Sequence, residues 1–144
     1  MVRVEIFIEL FERLAAELPP RAASVTVRSV QKGAGTVVTL IPANSEAADF
    51  SVHLEEGLDL VDFSFGHGTW ELPFEGRYSN GKKDNLAEVE EMARAIIAGN
   101  CDVKRVLFWV TSRIHVEGFT YGVNDLPVFS APPYRLRRYA PYVS

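Results

Sequence analysis

One cysteine in 144 residues leaves Cys101 without a partner for an intrachain disulfide. That usage suits a reducing compartment, and the chain is expected in the cytoplasm. No histidine stands near Cys101 in sequence to make a reactive thiolate, so it reads as a small residue near a helix end. Long apolar runs are also missing. None approaches the roughly 18 residues that span a bilayer, so no membrane role is expected. The N-terminal apolar run is interrupted by Glu5, Glu9 and Glu12, which excludes a secretory h-region. Positive charge is in short supply too. A net charge of −4 and a pI of about 5.4 argue against nucleic acid as the main partner. Catalytic signatures are absent. There is no G-x-S-x-G elbow and no HxH pair. The KGAG stretch at 32–35 sits between two strand-like runs and opens no helix, so it does not cradle phosphates. No cofactor and no metal is implied.

What is present is ordinary globular composition, 47% hydrophobic and 24% charged. A chain of this size buries roughly two-thirds of its unfolded surface and needs no staple. Phe7, Leu10, Phe11, Leu14 and Leu18 recur at helical spacing, which predicts a helix over 2–18 that ends at Pro19-Pro20. Val4 and Ile8 fall off that face and would form a small apolar patch for a partner or second subunit. A four-strand meander follows. Runs 24–31 and 36–41 flank a glycine-rich loop, while 49–55 and 58–65 flank a two-residue turn at Glu56-Gly57. Alternation places Val25, Val27, Val38, Leu40, Phe50, Val52, Val61, Phe63 and Phe65 on one face. Thr26, Arg28, Thr39, Ser51, His53, Asp62 and Ser64 lie on the other.

A second helix is expected over 85–98, with Asn85 and Glu88 as a capping box. Leu86, Val89, Met92, Ala93, Ile96 and Ile97 form its buried stripe. Glu90 and Arg94 make an i, i+4 pair, and Gly99 is the C-cap. Residues 103–111 then read as one central strand, and 114–121 as another with a bulge at Gly118. The remainder, 122–144, reads as an irregular extension rich in proline and aromatics. The expected architecture is a single α+β domain over 1–144. One antiparallel sheet of about five or six strands, the meander plus C-terminal strands, carries two helices on one face.

Two sets of candidate site residues stand out. The stretch 66–83 combines glycines with Trp70, Phe74, Arg77 and Tyr78, residue types that dominate protein interfaces. TWELPFEG also reads as a short edge strand with Trp70, Leu72 and Phe74 turned inward. The polar set is His53, His67, Glu71 and His115, with Glu117 sharing the strand face of His115. These could serve acid–base chemistry if a cleft gathered them. The tail interleaves Arg135, Arg137 and Arg138 with Tyr134, Tyr139 and Tyr142, a pattern that contacts phosphates and stacks bases when the footprint is large enough. In outline the order of elements resembles that of type III secretion chaperones and of some toxin-immunity proteins. The resulting expectation is a non-enzymatic domain, a chaperone, immunity-like protein or adaptor, that engages another protein or itself through the 66–83 stretch. The alternative is a small-molecule binder or hydrolase with its pocket between the sheet and that stretch.

Overall fold

The computed structural model describes residues 4–30, 35–55, 60–66, 68–73, 85–106, 109–123 and 135–143. Helix α1 (Val4–Ala16) buries Phe7, Leu10, Phe11 and Leu14, the residues whose spacing defines its apolar stripe. Val4 and Ile8 are partly buried and rest against the same core, so they form no free patch. Five strands follow: β1 (Ala23–Val30), β2 (Gly35–Pro42), β3 (Phe50–Glu55), β4 (Leu60–Phe65) and β5 (Gly68–Pro73). They make an antiparallel meander in chain order. β5 is the edge-strand reading of TWELP, and it extends the expected four strands to five.

The faces fall where alternation puts them. Val38, Leu40, Phe50, Val52, Val61, Phe63 and Phe65 are all buried, each in cross-strand register with another core residue. The β3–β4 register differs from the expected one. Leu54 pairs with Val61, whereas a two-residue turn at 56–57 would pair it with Asp59. The shift is two residues, and a shift of two leaves every side chain on its own face. Phe50 links the layers, meeting Phe11 edge-on at 5.2 Å and stacking on Phe63 at 5.6 Å. Burying each such ring contributes about 1.5–3 kcal/mol.

After α2 (Asn85–Ile97) the chain forms β6 (Cys101–Val106), β7 (Trp109–Val116), β8 (Phe119–Val123) and β9 (Arg135–Arg138). These make a second antiparallel sheet ordered β8-β7-β6-β9. The expected single sheet is therefore two sheets, of five and four strands. The expected central strand over 103–111 is two arms of a hairpin, with Val106 opposite Trp109. No Gly, Pro or Asn marks that reversal in sequence. Gly118 is the second residue of a turn, not a bulge. Its φ is +75°, and Val116 pairs with Phe119 across it. α1 lies against β1 and β2, and α2 against β7, while β5 touches β7 and β8. The sheets also meet at Gly66, where a Cβ would stand 2.9 Å from Ser112 Oγ and 3.1 Å from Val103 Cγ2.

α2 ends as its sequence indicates. Gly99, at φ +81°, follows a Schellman closure in which Asn100 N donates to Ala95 O (2.8 Å) and Gly99 N to Ile96 O (3.0 Å). The side chain of Asn85 lies outside the described set. The described end of the tail, 135–143, packs onto the domain. Arg135–Arg138 adds β9 to the edge of β6. Tyr139 meets Phe65 at 5.4 Å, and Tyr142 is 4% exposed. The Tyr142 hydroxyl donates to Ala48 O at 2.8 Å, and its backbone N donates to Ile97 O at 2.9 Å. No helix among the described residues is long and apolar enough to cross a membrane.

Candidate functional site

The face of the first sheet opposite the core carries a row of side chains in strict register, polar at every strand but β2, where Val37 stands. Arg28 pairs with Val37, Val37 with His53, His53 with Asp62, and Asp62 with Glu71. The pleat alone produces this row, because directly opposed residues share a face. His53 Nδ1 stands 3.9 Å from Asp62 Oδ2. Partial burial raises the Asp62 carboxyl above the usual range, and the neighbouring Glu71 charge adds to the shift while His53 opposes it. Gly35 makes room for the imidazole, since a Cβ there would lie 2.8 Å from His53 Nε2. Beside the row, Thr39 and Ser51 hydroxyls hydrogen-bond at 2.8 Å.

His115 belongs to a different cluster, on the second sheet. There Asp102 is 6% exposed and its two oxygens are both engaged. Arg113 Nε donates to Oδ1 at 2.7 Å, and His115 Nε2 lies 2.7 Å from Oδ2. His115 Nδ1 is 3.1 Å from Thr120 Oγ1. A neutral imidazole that donates from Nε2 to the carboxylate is left to accept the Thr120 hydroxyl proton at Nδ1. The register explains the assembly, because Asp102 sits opposite Arg113 and His115 opposite Thr120. A buried carboxylate without such donors would be strongly unfavourable. Alongside, an open groove of about 690 Å³ between α2 and β7 takes in His115 and Glu117 together with Glu90, Arg94, Ala95 and Ala98. Across its helix wall Arg94 bridges Glu90 (3.3 Å) and Glu17 (2.8 Å).

The polar set named from sequence is thus divided. His53 and Glu71 share one row, His115 stands in the other sheet, and His67 lies outside the described residues. Asp102, Arg113 and Thr120 were not legible as members of a cluster. Only the β6–β7–β8 register joins them, and the sequence reads those three strands as two, over 103–111 and 114–121. Among the described residues, no three His, Cys, Asp or Glu side chains are placed to hold a metal ion.

Of the interface set, Phe74, Arg77 and Tyr78 lie outside the described residues. Trp70 is on β5, opposite Phe63, with their rings 6.3 Å apart. It is partly buried against the core. Its indole Nε1 is buried without a hydrogen-bond acceptor among the described residues. Cys101 is 2% exposed, and burial pushes its thiol up to about 12, well away from nucleophilic use.

β1 and β5 stand at the ends of the first sheet's strand order, and β8 and β9 at the ends of the second's. Among the described residues nothing pairs with the outer side of β1 or of β9. On β1, Val27 is 52% exposed, although it stands on the core-facing side. Comparison of the chain with family models, with curated proteins and with solved structures found no match.

Proposed function

We propose that this chain is a non-enzymatic protein-binding domain that takes an extended segment of another protein onto the outer edge of β1. The observation that carries the reading is the edge itself. It is eight residues long, unpaired on its outer side among the described residues, and half exposed at Val27. Proteins that keep such an edge free of partners usually blunt it with charge, proline or a bulge. β1 has only Arg28, with no acidic residue and no proline. Main-chain pairing supplies affinity in strand addition, and side chains at alternate positions supply selectivity. A segment carrying a carboxylate opposite Arg28 is therefore favoured, and a basic segment disfavoured. Trp70 with Phe74, Arg77 and Tyr78 remains the proposed second contact surface for the same partner.

The test is hydrogen exchange on the complex, with affinity capture and light scattering of wild type and Val27→Lys. The expected result is a stoichiometric partner that protects amides 23–30 and is lost from the variant, which melts within about 0.5 kcal/mol of wild type as surface changes do. A partner retained by Val27→Lys overturns the reading. So does protection of β1 by a second copy of the chain.

A specific observation favours one other reading. Asp102, His115 and Thr120 form a carboxylate–imidazole–hydroxyl chain beside a groove, the arrangement that activates a hydroxyl in acyl transfer. Under that reading His115 Nδ1 takes the Thr120 proton and Asp102 holds the ring. Hydrolysis of p-nitrophenyl acetate that disappears in Thr120→Ala and in His115→Gln would support it. Equal rates in wild type and both variants would remove it.

A further inference from the structure

The β6–β9 pairing sets Arg105 directly opposite Arg135. Opposed residues in an antiparallel pair have Cβ atoms about 4.5–5.5 Å apart, and like charges at that spacing are destabilising. Arg137, two residues along β9, shares their face. All three are exposed, and none has a carboxylate partner among the described residues. Arg137 is held in place, with its Cζ 4.7 Å over the Tyr139 ring. Tyr139 is itself anchored edge-on to Phe65 at 5.4 Å and by its N–H to Cys101 O. The register thus sets two cations opposite each other with a third on the same face, a local conflict of the kind found at functional sites.

We propose that Arg105, Arg135 and Arg137 form a binding site for a phosphate dianion, either free or carried as a phosphomonoester. Guanidinium forks match phosphate oxygens in bidentate pairs. A carboxylate has one negative charge and two oxygens, enough for a single fork. A dianion bridging Arg105 and Arg135 converts their repulsion into shared attraction. A long polyanion fits poorly. The chain's net charge of −4 would be −7 without these three cations, so a long polyanion approaches a protein that is on balance of like charge. The site is independent of the β1 edge, which lies on the other sheet.

The test titrates inorganic phosphate, phenyl phosphate and a single-stranded oligonucleotide into the protein at constant ionic strength, with chloride as control. Arginine Nε–Hε resonances and the melting temperature are the readouts. Phosphate should shift the signals of Arg105, Arg135 and Arg137 and raise the melting temperature, with chloride doing neither. Tighter binding of phenyl phosphate would identify the monoester as the carried form, and equal or weaker binding the free ion. Arg135→Gln should weaken binding at least about tenfold, the cost of one charged hydrogen bond. Arg135→Glu should melt higher than wild type without phosphate, because Arg105 gains a carboxylate opposite it, and should lose the phosphate response. Phosphate acting no differently from chloride, or a response unchanged in Arg135→Gln, would overturn the proposal. Binding of the oligonucleotide alone would overturn it in favour of a nucleic-acid track.

Discussion

Tyr142 is the most informative residue to change. Its ring lies 6.5 Å from that of Phe50, and its hydroxyl donates to Ala48 O at 2.8 Å, with Leu40 O at 3.5 Å. Tyr142→Phe keeps the ring and strands a buried carbonyl, a loss of about 1–2 kcal/mol. Tyr142→Ala also removes the ring, and deletion of a buried aromatic costs about 3–5 kcal/mol. In a chain of this size each kcal/mol lowers the melting temperature by about 3–5 °C. The assay is urea unfolding followed by tryptophan fluorescence, with the midpoint and slope fitted separately.

A pH arm accompanies it. Burial raises the Tyr142 phenol above its ordinary value of 10.0, helped by the Asp49 charge. A raised acid favours the folded state while the group is protonated, so this contribution is complete below pH 10 and is lost as pH rises above it. Wild type should therefore lose stability above pH 10 more steeply than Tyr142→Phe. An alanine variant that costs less than about 1 kcal/mol, or one equal to the phenylalanine variant, would show that the tail does not complete the core.

Gly99→Ala should cost about 1–2 kcal/mol for the left-handed backbone and more for its close approach, since a Cβ there lies 2.7 Å from Pro141 N. Because Pro141 adjoins Tyr142, this change should be non-additive with Tyr142→Phe in a double-mutant cycle; strict additivity would refute the coupling. Asp62 gives a prediction of opposite pH sign to a salt-bridged carboxylate. Its raised carboxyl binds a proton more tightly when folded, so its contribution falls as pH rises from 3.8 through the raised value. Asp62→Asn should therefore be more stable than wild type at pH 7, with the gap closing toward pH 3. A less stable variant at pH 7 would contradict this.

The helices and the first sheet were legible because period and punctuation agree there. Phe7, Leu10, Phe11 and Leu14 repeat at one period and stop at two prolines. The meander alternates at another, and Gly99 ends α2 where its stripe ends. Even the two-residue difference in the β3–β4 register left the faces correct, since an even register shift is invisible to alternation. The second sheet was illegible for a matching reason. Val103–Thr111 has no turn residue at its reversal, so a hairpin reads as one buried strand. With that hairpin missed and the turn at Gly118 read as a bulge, Asp102, Arg113, His115 and Thr120 had no reason to meet. Arg105 likewise had no reason to stand opposite Arg135. Sites assembled by register between strands far apart in sequence leave no local pattern, whereas caps and stripes do.

The Tyr142 contact also has a consequence for synthesis. The carbonyls of Leu40 and Ala48 wait for a hydroxyl 102 and 94 residues further along the chain. At ribosomal speeds of about 5–20 residues per second, that is a delay on the order of 5–20 s. Throughout it Phe50 is without the ring of Tyr142. A first sheet that forms during synthesis does so with that seam open, and its closure waits on a contact that no local pairing can hasten.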